Sequence, residues 1–276
     1  MGQKRVALIV VPGKTDRSFY KAMFRKLFKY YGFQVIDLDS KNHEHEKLKI
    51  LGQIFKIREK SPIYRASVLK ISSTNVHLFI VIWSTDKKIP TSTADVLNYQ
   101  AGLTEPTIDF IVATEDAENL SFEQRLNSLY MSISNNCVQE LKFKEIEPIK
   151  STYYRIYQLE KDDWLRTLLL MLLVQGLQLS PVNKHAIEDF VIVPILEETK
   201  DELTKICDRL LDKVIQDPEA HKKLALLLAI IKCVVSIEDL IFDIFTEKEF
   251  LDIIENHDGL RKLVDVLISL LGGKSV

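Results

Sequence analysis

Apolar positions along the chain fall into two patterns, short continuous runs and longer segments with a spacing of three to four residues. The runs at residues 6–11, 76–83 and 108–114 are rich in branched side chains and end in polar turns, which is typical of strands buried on both faces. After the first run, Phe19, Met23 and Leu27 recur at helical spacing. This alternation predicts an α/β fold with a mostly parallel sheet flanked by helices.

The pattern of apolar residues changes in the second half of the chain. Residues 153–159 predict a further strand, and residues 162–177, apolar almost all round, predict a deeply buried helix. Beyond about residue 194 only helical patterns continue, over residues 196–215, 221–235, 237–245, 247–255 and 260–271. We therefore expect an α/β domain over residues 1–195 and an all-helical C-terminal region over residues 196–276. The amphipathic stripes of that region also suit a homodimer face.

Composition and charge narrow the function classes. The 276-residue chain is 46% hydrophobic and 28% charged, with a formal net charge of -2, so nucleic-acid binding requires a local basic patch. Cys137, Cys207 and Cys233 are widely spaced, which argues against a disulfide framework or a thiolate zinc site. No apolar stretch reaches the roughly 20 residues of a membrane span, and the start lacks a signal-peptide pattern. We predict a cytoplasmic protein with no membrane partner.

The turn after the first strand carries candidate chemistry. Gly13 and Lys14 lie where a tight turn and the following helix amides approach an anion or a phosphorylated ligand. A P-loop requires another glycine five residues before Gly13, where Leu8 stands. Asp16 is a candidate for positioning a metal, or equally a first-turn carboxylate that stabilises the helix.

A second candidate site follows the strand at residues 108–114. Asp116 and Glu118, preceded by Glu115, bunch at the carboxyl end of this strand. Carboxylates in that position can hold a hard cation, and Mg²⁺ or Mn²⁺ would fit. The same residues also suit a solvated turn before a helix.

These two segments resemble the Toprim (topoisomerase-primase) domain superfamily. Its signature is a hydrophobic strand followed by Glu-Gly, a variable pair and Asp, with an acidic Asp-x-Asp motif after a later strand. The resemblance implies a Toprim/Rossmann-like sheet, metal ligation by Asp116 and Glu118, and catalytic roles for Lys14 and Asp16. Pro12 stands in place of the family's glutamate, and it cannot transfer a proton.

A weaker match lies at residues 184–190, similar to a segment of uncharacterised archaeal and bacterial Toprim-like proteins. It adds Lys184, Glu188 and Asp189 as accessory candidates. Glu115 is the candidate to replace the acid or base that is missing at Pro12.

Three functions remain open from the sequence. The resemblance implies a nuclease or phosphoryl-transfer enzyme that depends on Mg²⁺ or Mn²⁺ and acts on nucleic acid. The alternative is a catalytically inactive module that binds nucleic acid or protein. A third hypothesis is a nucleotide-binding regulator that uses the turn at Gly13 without cleaving its ligand.

Overall fold

The computed structural model describes residues 2–55, 65–85, 87–146, 151–176, 187, 190, 241 and 246–272. The strands in these residues are β1 (Gln3–Val11), β2 (Gln34–Asp37), β3 (Ala66–Ser72), β4 (Val76–Ser84), β5 (Phe110–Asp116), β6 (Lys142–Glu145), β7 (Tyr154–Glu160) and β8 (Leu168–Gln175). The α-helices are α1 (Lys14–Tyr30), α2 (Glu44–Ile54), α3 (Ile89–Ala101), α4 (Phe122–Ser134), α5 (Glu247–Asn256) and α6 (Asp258–Leu270). A 3₁₀ turn at Lys41–His43 precedes α2.

The strands form one mixed sheet in the order β2-β3-β4-β1-β5-β8-β7-β6. The four central strands, β4, β1, β5 and β8, are parallel to one another. Antiparallel pairs flank them on both sides and give four antiparallel pairs against three parallel ones among the described residues. The α/β class is confirmed, but the prediction of a mostly parallel sheet is wrong, because antiparallel strands extend both edges.

Burial on both faces of the sheet explains why β1 is a continuous apolar run. Val6, Leu8 and Val10 point into one hydrophobic core, against α2, α3 and α4. Their neighbours in the strand point into the other core, against α1, α5 and α6. A strand covered by helices on both faces has no polar side, which produces the uninterrupted run in the sequence.

The prediction of a helix over residues 162–177 is wrong. Residues 168–175 form β8, which pairs in parallel with β5 and antiparallel with β7. Every residue of β8 except Leu169 is buried. A run that is almost entirely apolar has neither helical nor strand periodicity, so pairing with both neighbours decides its conformation.

The two C-terminal helices confirm the helical patterns at residues 247–255 and 260–271. They pack on the sheet beside α1, where Phe250 and Leu263 join the core of Phe19. The boundary near residue 195 and the predicted helices at 196–215, 221–235 and 237–245 lie almost wholly outside the described residues. In the described part of the chain, no helix has the length and apolar character needed to cross a bilayer.

His257 joins α5 to α6 at a fully buried position. Its Nδ1 accepts a hydrogen bond of 3.0 Å from the backbone N–H of Leu260, which caps α6. The imidazole packs against Tyr153, with ring centroids 3.9 Å apart. A Cβ at Gly259 would lie 2.6 Å from a methyl carbon of Leu173, so only glycine lets α6 begin this close to β8. Burial lowers the pKa of His257 to about 3.

This buried imidazole predicts a pH-dependent contribution to stability. The unfolded chain binds a proton at His257 below about pH 6.5, whereas the folded chain does so only near pH 3, so stability falls as the pH decreases between these values. His257→Asn keeps a capping side chain but removes the titration. Relative to this variant, we expect the wild type to lose about 2.5 kcal/mol between pH 7 and pH 4.5 in urea unfolding. The same change of unfolding free energy with pH in the two proteins would contradict this prediction.

Candidate functional site

The carboxyl ends of the four parallel strands meet at one edge of the sheet. The register pairs Val11 of β1 with Ser84 of β4, and Asp116 of β5 with Gln175 of β8. The ends of these four strands and the turns after β1, β4 and β5 therefore lie close together, and this edge is where ligands bind in open α/β sheets.

A buried polar cluster lies at this edge, beneath the start of α1. The amide nitrogen of Gln175 donates to Asp16 Oδ1 at 2.9 Å and to Asp116 Oδ1 at 3.1 Å. The backbone N–H of Ile187 donates to the same oxygen of Asp116 at 3.1 Å. The Oε1 of Gln175 and the Tyr20 hydroxyl, both buried, have no hydrogen-bond partner among the described residues. One amide thus joins α1 to the ends of β5 and β8.

Burial dominates the electrostatics of this cluster. It raises the pKa of Asp16, and the hydrogen bond from Gln175 offsets part of that rise. It also raises the pKa of Tyr20 well above its usual value, and the negative charges of Asp16 and Asp116 raise it further. Ionised Asp16 is therefore costly in this position, and its contact with Gln175 is the main interaction that supports it.

An open cavity of about 230 Å³ lies beside this cluster. We call it the strand-end pocket. Its lining residues come from the turns after β1, β4 and β5, from the end of β5, from the start of α3 and from α4. They are Pro12, Lys87, Lys88, Ile89, Glu115, Asp116, Glu118 and Arg125. Three cationic and three anionic side chains therefore face one small volume.

Arg125 organises one wall of the strand-end pocket. Its guanidinium lies 3.6 Å from a carboxylate oxygen of Glu115 and 3.7 Å from one of Glu118. Burial raises the pKa of Glu115, the positive charge of Arg125 opposes this, and the charge of Glu118 adds to it. Glu118 has a backbone φ of 52°, a left-handed conformation that is uncommon for a residue with a Cβ.

The two lysines of the strand-end pocket come from the turn between β4 and α3. Lys87 Nζ lies 2.9 Å from Asp95, in a pair that is more than half exposed and so contributes little to stability. Its backbone N–H donates to the Thr85 hydroxyl at 3.1 Å, which fixes the turn. The positive charge of Lys88 acts to lower the pKa of Glu115, so it favours the ionised form of this carboxylate across the pocket.

The structure separates the predicted site residues into two groups. Glu115, Asp116 and Glu118 line the strand-end pocket, whereas Asp16 lies in the buried cluster next to it. Gly13 precedes α1 and Lys14 is exposed at its first turn, and neither lines the pocket. The catalytic roles predicted for Lys14 and Asp16 stay predictions.

The accessory candidates Lys184, Glu188 and Asp189 lie outside the described residues. Within the described residues, no group of three or more His, Cys, Asp or Glu side chains is placed to hold a metal ion.

Several residues of the site were missed by the sequence analysis. Gln175 fell inside the segment predicted as a helix, so its place at a strand end was hidden. Lys87 and Lys88 lie in the polar turn that follows a predicted strand, and that position was the signal that could have identified them. Arg125 had no such signal, because its role depends on how α4 packs.

Comparisons with known proteins show no family. No family model matches the chain, and no curated protein matches it. Among solved structures, a genomically encoded fosfomycin resistance protein, FosX, from Listeria monocytogenes matches with 12% identity and a TM-score of 0.17, over 64% of this chain and 94% of that one. A glyoxalase family protein from Bacillus cereus matches with 10% identity and a TM-score of 0.19, over 62% and 93% of the two chains. Scores this low do not establish a shared fold.

The resemblance to the Toprim superfamily is not upheld. No family model and no curated protein matches the chain, so neither comparison supports it. The resemblance rested on two short acidic segments, and the first of them lacks the glutamate at Pro12. The candidate site is therefore judged only on its own geometry.

The Gln175 amide provides a test of the buried cluster. Gln175→Leu removes the donor shared by Asp16 and Asp116 and leaves the buried Asp16 and the partly buried Asp116 with fewer partners, so we expect a loss of about 2–3 kcal/mol of unfolding free energy at pH 7. The loss should shrink at pH 5, because protonation of Asp16 relieves the unpaired charge. Urea unfolding at both pH values measures it.

Gln158→Leu on β7 is the matched control. Its amide donates to Glu160 on the same strand, and we expect a change within about 0.5 kcal/mol. Equal losses for the two variants would show that the Gln175 amide has no special role.

Proposed function

We propose that the protein binds a phosphate-bearing nucleic-acid ligand together with a divalent cation in the strand-end pocket, and that it catalyses phosphoryl transfer or phosphodiester cleavage there. The observation that carries this proposal is the mixed charge of the pocket, with three cationic and three carboxylate side chains around about 230 Å³. A metal–phosphate ligand presents both signs of charge, so it matches such a lining better than a purely anionic ligand does. The pocket is smaller than the cavities that enclose a whole nucleotide, which favours contact with a backbone phosphate.

Asp116 and Glu118 are the carboxylates suited to the cation. Mg²⁺ in proteins is held by one or two carboxylates, with water and substrate phosphate completing its octahedral shell. Asp116 fits this role because Gln175 and the Ile187 N–H both hold its Oδ1, and ligating carboxylates are usually fixed by such hydrogen bonds. The cation would supply charge neutralisation at the phosphate.

The backbone of Glu118 adds support. A left-handed φ of 52° would be cheaper with glycine or asparagine, and strain of this kind concentrates at functional sites. The side chain it places beside Arg125 is about half exposed, at 47%, which leaves it accessible from the pocket.

We assign proton transfer to Glu115 and phosphate binding to Lys87 and Lys88. Glu115 lines the pocket, and burial raises its pKa, which is the direction that makes a carboxylate a better acceptor of a proton from an attacking water. Lys87 and Lys88 lie at the same cavity and would neutralise phosphate oxygens. Pro12 takes no part in proton transfer.

A second candidate function is binding without turnover. It is favoured by Arg125, which already pairs with Glu115 and Glu118, and by the amide donor on Asp116. These contacts satisfy the carboxylates within the protein itself. On this account the pocket would still bind nucleic acid through Lys87 and Lys88, but it would neither hold a cation nor cleave.

The cation role is tested with Asp116→Asn/Glu118→Gln, which keeps the side-chain shapes but removes two charges. In the wild type we expect Mn²⁺ to raise the melting temperature and to support cleavage of labelled single-stranded DNA or RNA. In the variant we expect the thermal shift to vanish and cleavage to fall by a factor of at least about 100.

Asp162→Asn/Asp163→Asn, a pair in the turn before β8 at the opposite edge of the sheet, should behave as the wild type. No metal response and no cleavage in the wild type would leave the binding module as the better account.

The proton-transfer role predicts a pH profile. Because the pKa of Glu115 is raised, the rate should increase as the pH rises through that pKa and the carboxylate becomes ionised. Glu115→Gln should lower the rate by a factor of about 100 to 10,000 and remove that limb of the profile. Single-turnover cleavage between pH 4.5 and 8.5 measures both, and an unchanged profile in the variant would exclude Glu115 as the base.

A further inference from the structure

A second polar cavity lies along the same edge of the sheet. It has a volume of about 400 Å³ and is formed by the end of β2, the start of β3, α1 and α2. We call it the β2–β3 pocket. The charged side chains that line it are Arg17, Asp39, Lys41, Glu44 and Lys47.

Asp39 holds Lys47 of this pocket in place, together with Lys21 of α1 beside it. It accepts hydrogen bonds from Lys47 Nζ at 2.9 Å, from Lys21 Nζ at 2.5 Å and from the backbone N–H of Val68 at 3.2 Å. Burial acts to raise the pKa of Asp39, but the two lysines outweigh it and the pKa is lowered. Asp39 therefore stays ionised and fixes Lys47 at the rim, with further N–H donors for a ligand.

Cations outnumber carboxylates in the β2–β3 pocket. Arg17, Lys41 and Lys47 face Asp39 and Glu44. Burial lowers the pKa of Arg17, and the charge of Asp39 opposes this. A half-buried guanidinium and two ammonium groups in one cavity suit the oxygens of a phosphate group.

The register places the two pockets on one edge. Ala66 at the start of β3 pairs with Trp83 at the end of β4, and Val11 of β1 pairs with Ser84. The β2–β3 pocket thus lies about two to three strand widths from the strand-end pocket, or about 10–15 Å. A mononucleotide phosphate cannot occupy both, whereas a chain of several nucleotides can.

We infer that the β2–β3 pocket is a second phosphate subsite and that the ligand of this protein is a single nucleic-acid strand laid along the carboxyl edge of the sheet, with one phosphate in each pocket. This rests on the proposed function for the strand-end pocket. A flexible single strand follows a groove with local positive charge, and a net charge of -2 provides no broad basic face for a duplex. The strand is recognised through its backbone, so DNA and RNA are both expected to bind.

The test uses fluorescence anisotropy with fluorescein-labelled oligothymidylates of two and eight nucleotides, in EDTA so that no turnover occurs. In Lys41→Ala/Lys47→Ala we expect the affinity for the octamer to fall at least 10-fold at 50 mM salt. The affinity for the dinucleotide should fall much less, because its single phosphate can still bind in the strand-end pocket. The slope of log affinity against log salt for the octamer should become shallower by about 0.7, for the one phosphate contact that the β2–β3 pocket loses. An octamer of uridylate and an eight-base-pair duplex form the comparison arms.

Two further variants keep the result interpretable. Lys142→Ala, at an exposed ion pair on β6, is the control and should bind as the wild type. Lys41→Ala alone changes an exposed residue, so it reports on the pocket even where the double variant unfolds, and we expect a fall of about 3-fold or more.

Three outcomes would overturn the inference: equal losses for dinucleotide and octamer, no loss in either lysine variant, or tighter binding of the duplex than of the single strand. Failure of the proposed function would give a different result. The protein would show no metal response and no cleavage, but the length-dependent binding in EDTA would remain.

Discussion

Burial of the four central strands on both faces is the constraint from which the candidate site follows. Because helices cover β4, β1, β5 and β8 on either side, these strands keep a fixed parallel register. That register brings all four carboxyl ends to one edge. The middle of each such strand is apolar, so polar residues gather at the strand ends and in the turns beyond them.

The edge separates into a structural layer and an accessible layer. Below, Gln175 joins Asp16 to Asp116 with two hydrogen bonds, which stabilises the buried carboxylate of Asp16 and connects α1 to the sheet. Above, Arg125 and the lysines after β4 balance the carboxylates that line the strand-end pocket. Asp116 accepts the hydrogen bond from Gln175 and also lines the strand-end pocket. Loss of that hydrogen bond should therefore change how the Asp116 carboxylate is oriented in the pocket.

The sequence predicts the parts of this fold whose patterns are local. The apolar runs of β1, β4 and β5 and the helical spacing of α1 need no information beyond their own residues. β8 was mistaken for a helix because eight consecutive residues that are nearly all apolar carry no period. β6, with the sequence Lys-Phe-Lys-Glu, lies at the sheet edge and is largely exposed, so its strand pattern is too short and polar to recognise.

The same limit applies to the site. Asp116 and Glu118 were identified because acidic residues directly follow a recognisable strand. Arg125 and Gln175 reach the edge only through tertiary packing, and the Asp39 network depends on β2 lying next to β3, which was not predicted. The spacing of residues along the sequence cannot predict which charged side chains strand pairing brings together.

The central claim is that the strand-end pocket binds a cation and a phosphate together. Anomalous diffraction from crystals soaked with Mn²⁺ and a thymidine dinucleotide tests it most directly. The account predicts a manganese peak about 2.1–2.3 Å from a carboxylate oxygen of Asp116, with a phosphate oxygen in the same coordination shell. A manganese peak elsewhere, or a dinucleotide bound in the pocket with no metal beside it, would contradict the claim.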